Sequence, residues 1–287
     1  MLKNHPQESS TIWLNDEYVL YKDANIRLMT HSLSYATSLF EGIRSYNGRI
    51  FKLHEHLVRL ERSISIMGWD VEIDYKKTED RIHKLLEDNG IQSGYIKVLL
   101  YLGDGSTGYM GTNCKVNFLI SCYAFDEPFN KPIALEIANF KKPEPESFPY
   151  KLKGSAGYLL SYLSFNSKSA SADDVLFLTK DELVSECSGS NIFFKVDNEW
   201  LTPETEVCLD GITAKFIVDE ASEALDIKIR YSRISLDMVK KATSAFTCGT
   251  AVGVVPISSI EGIKDNYDIF DNELKKIIEY YEVKKQC

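Results

Sequence analysis

Five of the chain's eight prolines, Pro128, Pro132, Pro143, Pro145 and Pro149, crowd into one stretch. Proline fixes φ, lacks the N–H that a helix interior or central strand needs, and pushes the residue before it out of the helical region. No long regular element can run through such a stretch; only Ile133 to Ile137 has room to be a short strand. Patterning differs on its two sides. Residues 126–150 are therefore read as a connection between an N-terminal domain, residues 1–125, and a C-terminal domain, residues 151–287; the alternative is a long surface loop within one domain. A chain of 287 residues suits two domains of ordinary size, and 44% hydrophobic residues suffice for a substantial core.

Charge and cysteine usage exclude several classes. The net charge of −9 argues against a nucleic-acid partner, whose binding surface shows as a basic excess. No run of ~18 apolar residues is present, so no membrane span is expected. The polar segment Met1 to Ser10 has no apolar stretch that would read as a secretory signal. The six cysteines, Cys114, Cys122, Cys187, Cys208, Cys248 and Cys287, form no C-x-x-C pair, which suits reduced thiols in a cytoplasmic protein. His54 and His56 would point in different directions on a helix, so no metal site is expected there.

Periodicity supplies the elements. Residues 11–29, with Trp13, Tyr18 and Tyr21, suggest an opening hairpin. Leu53, Leu57, Leu60, Ile64 and Met67 recur at helical spacing, Gly68 supplies a stop, and Arg59 and Arg62 lie off the apolar stripe. Tyr75 to Leu86 is a second helical segment. Tyr95 to Leu102 and Lys115 to Ala124 read as strands, separated by a glycine-rich turn or loop at 103–108. Beyond Pro149 come a helix (Tyr158 to Ser167), strands (Val175 to Leu178 and Asn191 to Val196) with a hairpin turn at Asp197-Asn198, a helix (Thr213 to Leu225), a strand (Ile227 to Tyr231), a short helix (Leu236 to Ala242), a strand (Ser244 to Cys248) and a terminal helix over 269–284. The mixture is α/β (α+β).

Four segments could carry chemistry. Asp210-Gly211-Ile212-Thr213 opens a helix, where free N–H groups and the helix dipole favour a phosphate, although taken alone an ordinary turn and N-cap is the better explanation. Cys248-Gly249-Thr250-Ala251 could be a second cradle of amides and a hydroxyl, or a plain strand-ending turn; a dianion needs several such donors. Lys151-Leu152-Lys153-Gly154-Ser155-Ala156-Gly157-Tyr158 sets a lysine among small neighbours at a helix entry, where a desolvated amine could form a Schiff base; the alternative is a solvated lysine. Val184-Ser185-Glu186-Cys187-Ser188-Gly189-Ser190-Asn191 puts a glutamate in a small-residue turn before an apolar strand, where it could sit beside a cation or simply be solvated. No G-x-G-x-x-G, Walker A or G-x-S-x-G element is present.

Two N-terminal motifs complete the pattern. His31-Ser32-Leu33-Ser34-Tyr35-Ala36-Thr37-Ser38-Leu39-Phe40-Glu41-Gly42-Ile43-Arg44 is followed by His56-Leu57-Val58-Arg59-Leu60. In this order, from about Trp13 to about residue 262, the segments resemble the class IV (fold-type IV) pyridoxal-phosphate-dependent aminotransferases, with the branched-chain amino acid aminotransferases the best match. The resemblance implies a smaller N-terminal α/β domain and a larger C-terminal pseudo-barrel domain, with pyridoxal 5'-phosphate as cofactor. It implies an internal aldimine on Lys153 rather than Lys151, because a tyrosine follows the family's lysine by five residues and Tyr158 satisfies that spacing. Arg59 would bind the cofactor phosphate, Tyr158 its phenolic oxygen and Glu186 its pyridine nitrogen. Leu209 would pack on the ring, and Gly211-Ile212-Thr213 and Gly249-Thr250-Ala251 would be the phosphate and carboxylate turns. Tyr35, Phe40 and Tyr95 would line the substrate pocket, with Tyr123 a further candidate wall.

The implied reaction transfers the amino group of leucine, isoleucine or valine to 2-oxoglutarate, as in amino-acid biosynthesis, in a cytoplasmic homodimer. Two departures stand out. Tyr95-Ile96-Lys97 replaces a Y-I-R motif whose arginine helps bind a glutamate side-chain carboxylate, and lysine cannot form the same bidentate fork. Ser190 stands where a glutamate often precedes the asparagine, and Cys187 replaces a glycine or other small residue. D-amino acid aminotransferases, (R)-amine transaminases and aminodeoxychorismate lyases share the superfamily; Phe40-Glu41-Gly42-Ile43-Arg44 and Tyr158 favour the branched-chain type over the D-amino acid and lyase types. Lys153, Glu186 and Arg59 together argue against a non-catalytic binding protein.

Overall fold

Along Gly94–Leu102 buried and half-buried side chains alternate, as in a strand with one face in a core. The computed structural model describes residues 5–287, so the first four residues of the polar N-terminal run lie outside the described residues. The chain divides into two compact units. The first comprises the described part of Met1–Asp126 with Leu152–Gly157 and Gln286; the second comprises Glu127–Lys151, Tyr158–Lys285 and Cys287. The proline-rich stretch thus groups with the second unit, and the segment carrying Lys153 with the first.

The first unit contains β1 (Thr11–Leu14), β2 (Glu17–Leu20), α1 (His31–Tyr35), β3 (Ser38–Tyr46), β4 (Arg49–Ile50), α2 (Leu53–Met67), α3 (Tyr75–Asp88), β5 (Gly94–Leu102) and β6 (Val116–Ala124). Its strands form an antiparallel sheet in the order β2-β1-β6-β5-β3-β4. Helix α2 stops at Gly68, which takes the left-handed φ of +65° that a C-cap favours. Strand period divides the sheet's side chains. Leu39, Ile43, Ile96, Val98, Leu100, Ile120 and Cys122 face Leu57, Leu60 and Ile64 of α2 and Ile82 and Leu85 of α3. Phe40, Gly42, Tyr95, Lys97, Ser121 and Tyr123 share the opposite face by register.

The second unit contains β7 (Ile133–Ile137), α4 (Leu159–Ser167), β8 (Asp174–Leu178), β9 (Val184–Cys187), β10 (Asn191–Val196), β11 (Glu199–Pro203), α5 (Ile212–Phe216), α6 (Ser222–Leu225), β12 (Ile229–Ser232), α7 (Leu236–Lys241), β13 (Ser244–Gly249), β14 (Gly253–Ile260) and α8 (Asn272–Lys284). Its eight-stranded sheet runs β12-β11-β10-β13-β14-β7-β8-β9 and curls until β9 packs against β10, giving the pseudo-barrel. Ile133, Leu176, Leu178, Val184, Ile192, Phe194, Leu201 and Ile257 fill its interior. Phe193, Phe246 and Trp200 are fully buried outside that interior, with the two phenyl rings stacked 4.6 Å apart.

Two local expectations shift. The glutamate turn expected over 184–191 is in part strand: β9 pairs antiparallel with β8, so Glu186 stands on a sheet edge rather than in a loop. Its small residues look like turn formers, yet tertiary pairing decides. The helix expected from Thr213 to Leu225 is α5 and α6 joined through a wider π-helical turn at Ile217–Ala221. Ile133–Ile137 forms a strand as read, lying between β14 and β8 and parallel to both. The Asp197-Asn198 hairpin turn forms as read, both residues taking positive φ (51° and 63°).

Removing one ring from the Phe193–Phe246 stack leaves a cavity. Phe246→Ala should cost about 3–5 kcal/mol of unfolding free energy in a denaturant titration; a loss below about 1 kcal/mol would contradict this packing.

Candidate active site

One carboxylate organises the first unit. Strand period puts Glu41 on the helix-facing side of β3 beside Leu39 and Ile43, where it is fully buried. His56 and Arg59 are three residues apart on α2 and so project from the same side of the helix. Arg59 donates from Nε to Glu41 Oε1 at 2.8 Å and from Nη2 to Oε2 at 2.7 Å, a bidentate fork. His56 Nδ1 donates to Glu41 Oε2 at 2.8 Å. Burial alone would raise the Glu41 carboxyl, but Arg59 and His56 together hold it down at about 2. Burial chiefly, with the charges of Arg59 and Lys153 adding to it, lowers the His56 imidazole against the pull of Glu41.

The same helix fastens the lysine segment. Ser63, one turn beyond Arg59, donates from Oγ to the Arg59 carbonyl at 2.9 Å and accepts the Lys153 amide at 3.1 Å. The Lys153 carbonyl accepts from Phe40 N at 3.2 Å, Gly154 bridges to Leu39, and the Ser155 and Ser38 hydroxyls meet at 2.5 Å. Gly154 is needed for this approach, because a Cβ would fall 2.6 Å from Leu152 Cδ2 and 3.1 Å from the Ser38 carbonyl. Lys153 is half-buried and Lys151 exposed. Lys153 Nζ lies 4.7 Å from the Phe40 ring centroid, and Lys97 Nζ lies 3.5 Å from that same centroid. Burial first, then the charge of Lys153, brings the Lys97 ammonium down to about 8.

Beside Lys97 the face is aromatic. The Tyr95 side chain crosses Gly42, where a Cβ would meet its hydroxyl at 1.7 Å, so only glycine fits. Tyr123 stacks on Tyr95 at 5.5 Å. Tyr35 ends α1, packs on His31, and donates to the Thr107 carbonyl at 2.9 Å, while His31 donates to the Gly108 carbonyl at 3.0 Å. Both bonds tie α1 to the glycine-rich loop.

The second unit assembles a different set. Glu186 accepts Lys142 Nζ on Oε1 at 2.7 Å and the Leu209 amide on Oε2 at 3.0 Å. Asn191 Nδ2 donates to the Leu209 carbonyl at 2.9 Å, and its Oδ1 would be 1.8 Å from a Cβ on Gly211. Gly211 is the N-cap of α5, with Ile212 and buried Thr213 following. Thr247 Oγ1 donates to the Asn191 carbonyl at 2.8 Å and meets the Ser190 hydroxyl at 2.5 Å. Gly249 abuts Ser190, and its pairing with Gly253 closes the turn that carries half-buried Thr250 and Ala251. Tyr158 stands half-buried immediately before α4.

Within the first unit, then, Phe40, Lys97, Lys153 and Tyr95 cluster, with Arg59 behind them on the helix side. Within the second, Glu186, Leu209, Gly211–Thr213 and Gly249–Ala251 gather around Asn191. Sequence reading passed over Glu41 and His56 as partners of Arg59, and over Lys142 and Asn191. Glu41 had a signal: it is an acid where alternation demands an inward apolar residue. Lys142 had none. Among the described residues no group of three His, Cys, Asp or Glu could hold a metal ion, no helix is long and apolar enough to cross a membrane, and all six cysteines are free.

The amino-transferase class IV profile matches residues 38–260, most of the chain. A probable branched-chain-amino-acid aminotransferase of Rickettsia bellii is 34% identical over 267 residues, spanning 91% of each chain. The crystal structure of the Escherichia coli branched-chain amino acid aminotransferase superposes with a TM-score of 0.89 at 26% identity, covering 96% of this chain and 94% of that one. The T.th. branched-chain amino acid aminotransferase complexed with N-(5'-phosphopyridoxyl)-L-glutamate gives 0.90 at 25% identity, covering 97% and 95%. The chain belongs to the class IV aminotransferases. Within that family, these three relatives are branched-chain amino acid aminotransferases, the first of them a probable one.

The Glu41 cluster predicts a pH signature. A carboxyl depressed to about 2 contributes stability that is present above its ordinary 4.5 and is lost as pH falls toward 2. Glu41→Gln should be roughly 3–5 kcal/mol less stable than wild type at pH 7, and the gap should narrow between pH 4.5 and 2 in urea titrations. A gap constant across that window would contradict the ionised, paired Glu41.

Proposed function

We propose that this protein is a pyridoxal 5'-phosphate-dependent branched-chain amino acid aminotransferase, exchanging the amino group of L-leucine, L-isoleucine or L-valine with 2-oxoglutarate. The observation that carries the reading is the placement of Lys153, whose backbone is fastened to Ser63 and Phe40 while its amine stands by an aromatic ring. The kinship with branched-chain enzymes, one of them complexed with a phosphopyridoxyl-glutamate, points the same way.

The residues suit the cofactor. Two glycine turns bearing Thr213 and Thr250 suit a phosphate dianion and a substrate carboxylate, with Arg59 a further phosphate donor. Glu186 can still accept a ring N–H on either oxygen, since a carboxylate has about four acceptor positions. Tyr158 suits the phenolic oxygen and Leu209 the ring face. When bound, pyridoxal phosphate supplies an electrophilic carbonyl and an electron-withdrawing ring. Lys153 Nζ would hold the cofactor, and its free amine would take the proton from the substrate α-carbon and later return one. Glu186 would accept the ring N–H. Phe40, Tyr95 and Tyr35 offer apolar surface to a branched side chain, and Lys97 offers a cation to a dicarboxylate.

The protein is further proposed to act as a homodimer in the cytoplasm, in amino-acid biosynthesis. Exposed Leu28, Met29, Leu33, Tyr109 and Met110 supply apolar surface for a second copy, and the free cysteines suit a reducing compartment.

A panel of amino donors tested against 2-oxoglutarate and pyruvate should give fastest turnover with leucine, isoleucine or valine and 2-oxoglutarate. Activity confined to D-amino acids or (R)-amines, or pyruvate release without an acceptor, would overturn the reading. Lys97 adds a pH test. It loses its proton as pH rises through about 8, so KM for 2-oxoglutarate should climb above pH 8 while KM for the keto acid of leucine stays level. Lys97→Met should raise the 2-oxoglutarate KM roughly tenfold at pH 7. Parallel pH curves for both acceptors would exclude this role.

A further inference from the structure

Glu186 carries an ion pair with Lys142. The Lys142 and Glu186 side chains are only 6% and 13% exposed. Adjacent Lys141 is a surface residue paired with Glu182, so the inward turn is particular to Lys142. Its backbone imposes that turn: the Lys142 amide donates to the Leu178 carbonyl at the end of β8 at 2.9 Å, and Tyr150 Oη donates to the carbonyl of the next residue, Pro143, at 2.6 Å. The ammonium then lies 4.7 Å from the Phe177 ring centroid. Lysine is seldom buried so fully unless paired, and a buried pair often stabilises a fold no better than apolar residues of similar size. Fold stability alone is therefore a weak reason for this pair.

The geometry offers a stronger one. A carboxylate held by a single bond can rotate about its own axis. Here one oxygen is held by Lys142 and the other by the Leu209 amide, so the plane of the group is fixed. One acceptor position on each oxygen is taken, and the others remain for a further N–H.

We propose that Lys142 is the positioning residue of Glu186: with the Leu209 amide it locks the carboxylate plane before the cofactor arrives and shares the carboxylate's charge afterwards. This rests on the reading that Glu186 meets the cofactor's ring nitrogen. A preorganised acceptor needs no reorientation on binding, so its benefit appears as cofactor affinity.

The test is equilibrium dialysis of the holoenzyme against graded pyridoxal 5'-phosphate, for wild type, Lys142→Met, Lys142→Arg, Glu186→Gln and the double variant Lys142→Met/Glu186→Gln, with melting temperatures confirming folding. Lys142→Met should raise the cofactor Kd about tenfold, Lys142→Arg should stay within about threefold of wild type, and Lys142→Met should add no further rise in the Glu186→Gln background. An equal rise in both backgrounds would mean general damage to the unit and would overturn the proposal, as would no rise in either. Glu186→Gln binding the cofactor as tightly as wild type, with an unchanged visible spectrum, would instead remove the reading beneath it.

Discussion

The first unit depends on one buried carboxylate. Glu41 sits where strand period calls for an apolar side chain, and it is tolerable there only because Arg59 and His56 surround it. That pairing fixes the register of α2 on the sheet. The register places Ser63, Ser63 accepts the Lys153 amide, and the lysine segment lies down beside β3. Breaking the pair would leave a buried guanidinium without its counter-charge and would loosen the helix that holds the lysine. Structural stability and presentation of the amine thus run through the same three side chains.

The second unit uses neutral groups for a similar end. Asn191 fills the space above Gly211 and ties down the Leu209 carbonyl, Leu209 presents its amide to Glu186, and Thr247 holds the asparagine's own backbone. Two turns and a carboxylate are positioned from one strand end. The absence of a Cβ at Gly211 reflects close approach of the Asn191 side chain, since the backbone there is ordinary extended chain (φ −75°).

What could be read beforehand was what local spacing encodes. The α2 stripe, its Gly68 stop and the Asp197-Asn198 turn each follow from a few neighbouring residues. Glycines at 42, 154 and 211 were visible as letters, but their reasons are tertiary: Tyr95, Leu152 and Asn191 occupy the space a side chain would need. The strand character of Val184–Cys187 was hidden because it comes from pairing with β8. Lys142 was hidden more deeply. It lies in a proline-rich stretch beside another lysine, and nothing local distinguishes the buried one from the surface one. The resemblance to a family supplied names for Lys153 and Glu186; the structure supplies the contacts that position each within its own unit.

Lys153, among many lysines, is the one proposed to hold the cofactor, and every other role in the site follows from that choice. Borohydride reduction of the protein loaded with pyridoxal 5'-phosphate, followed by peptide mass mapping, tests it directly. A single phosphopyridoxyl label on Lys153 is the expected result. A label on exposed Lys151, or on Lys97 beside the same phenylalanine ring, or no stable label at all, would contradict it.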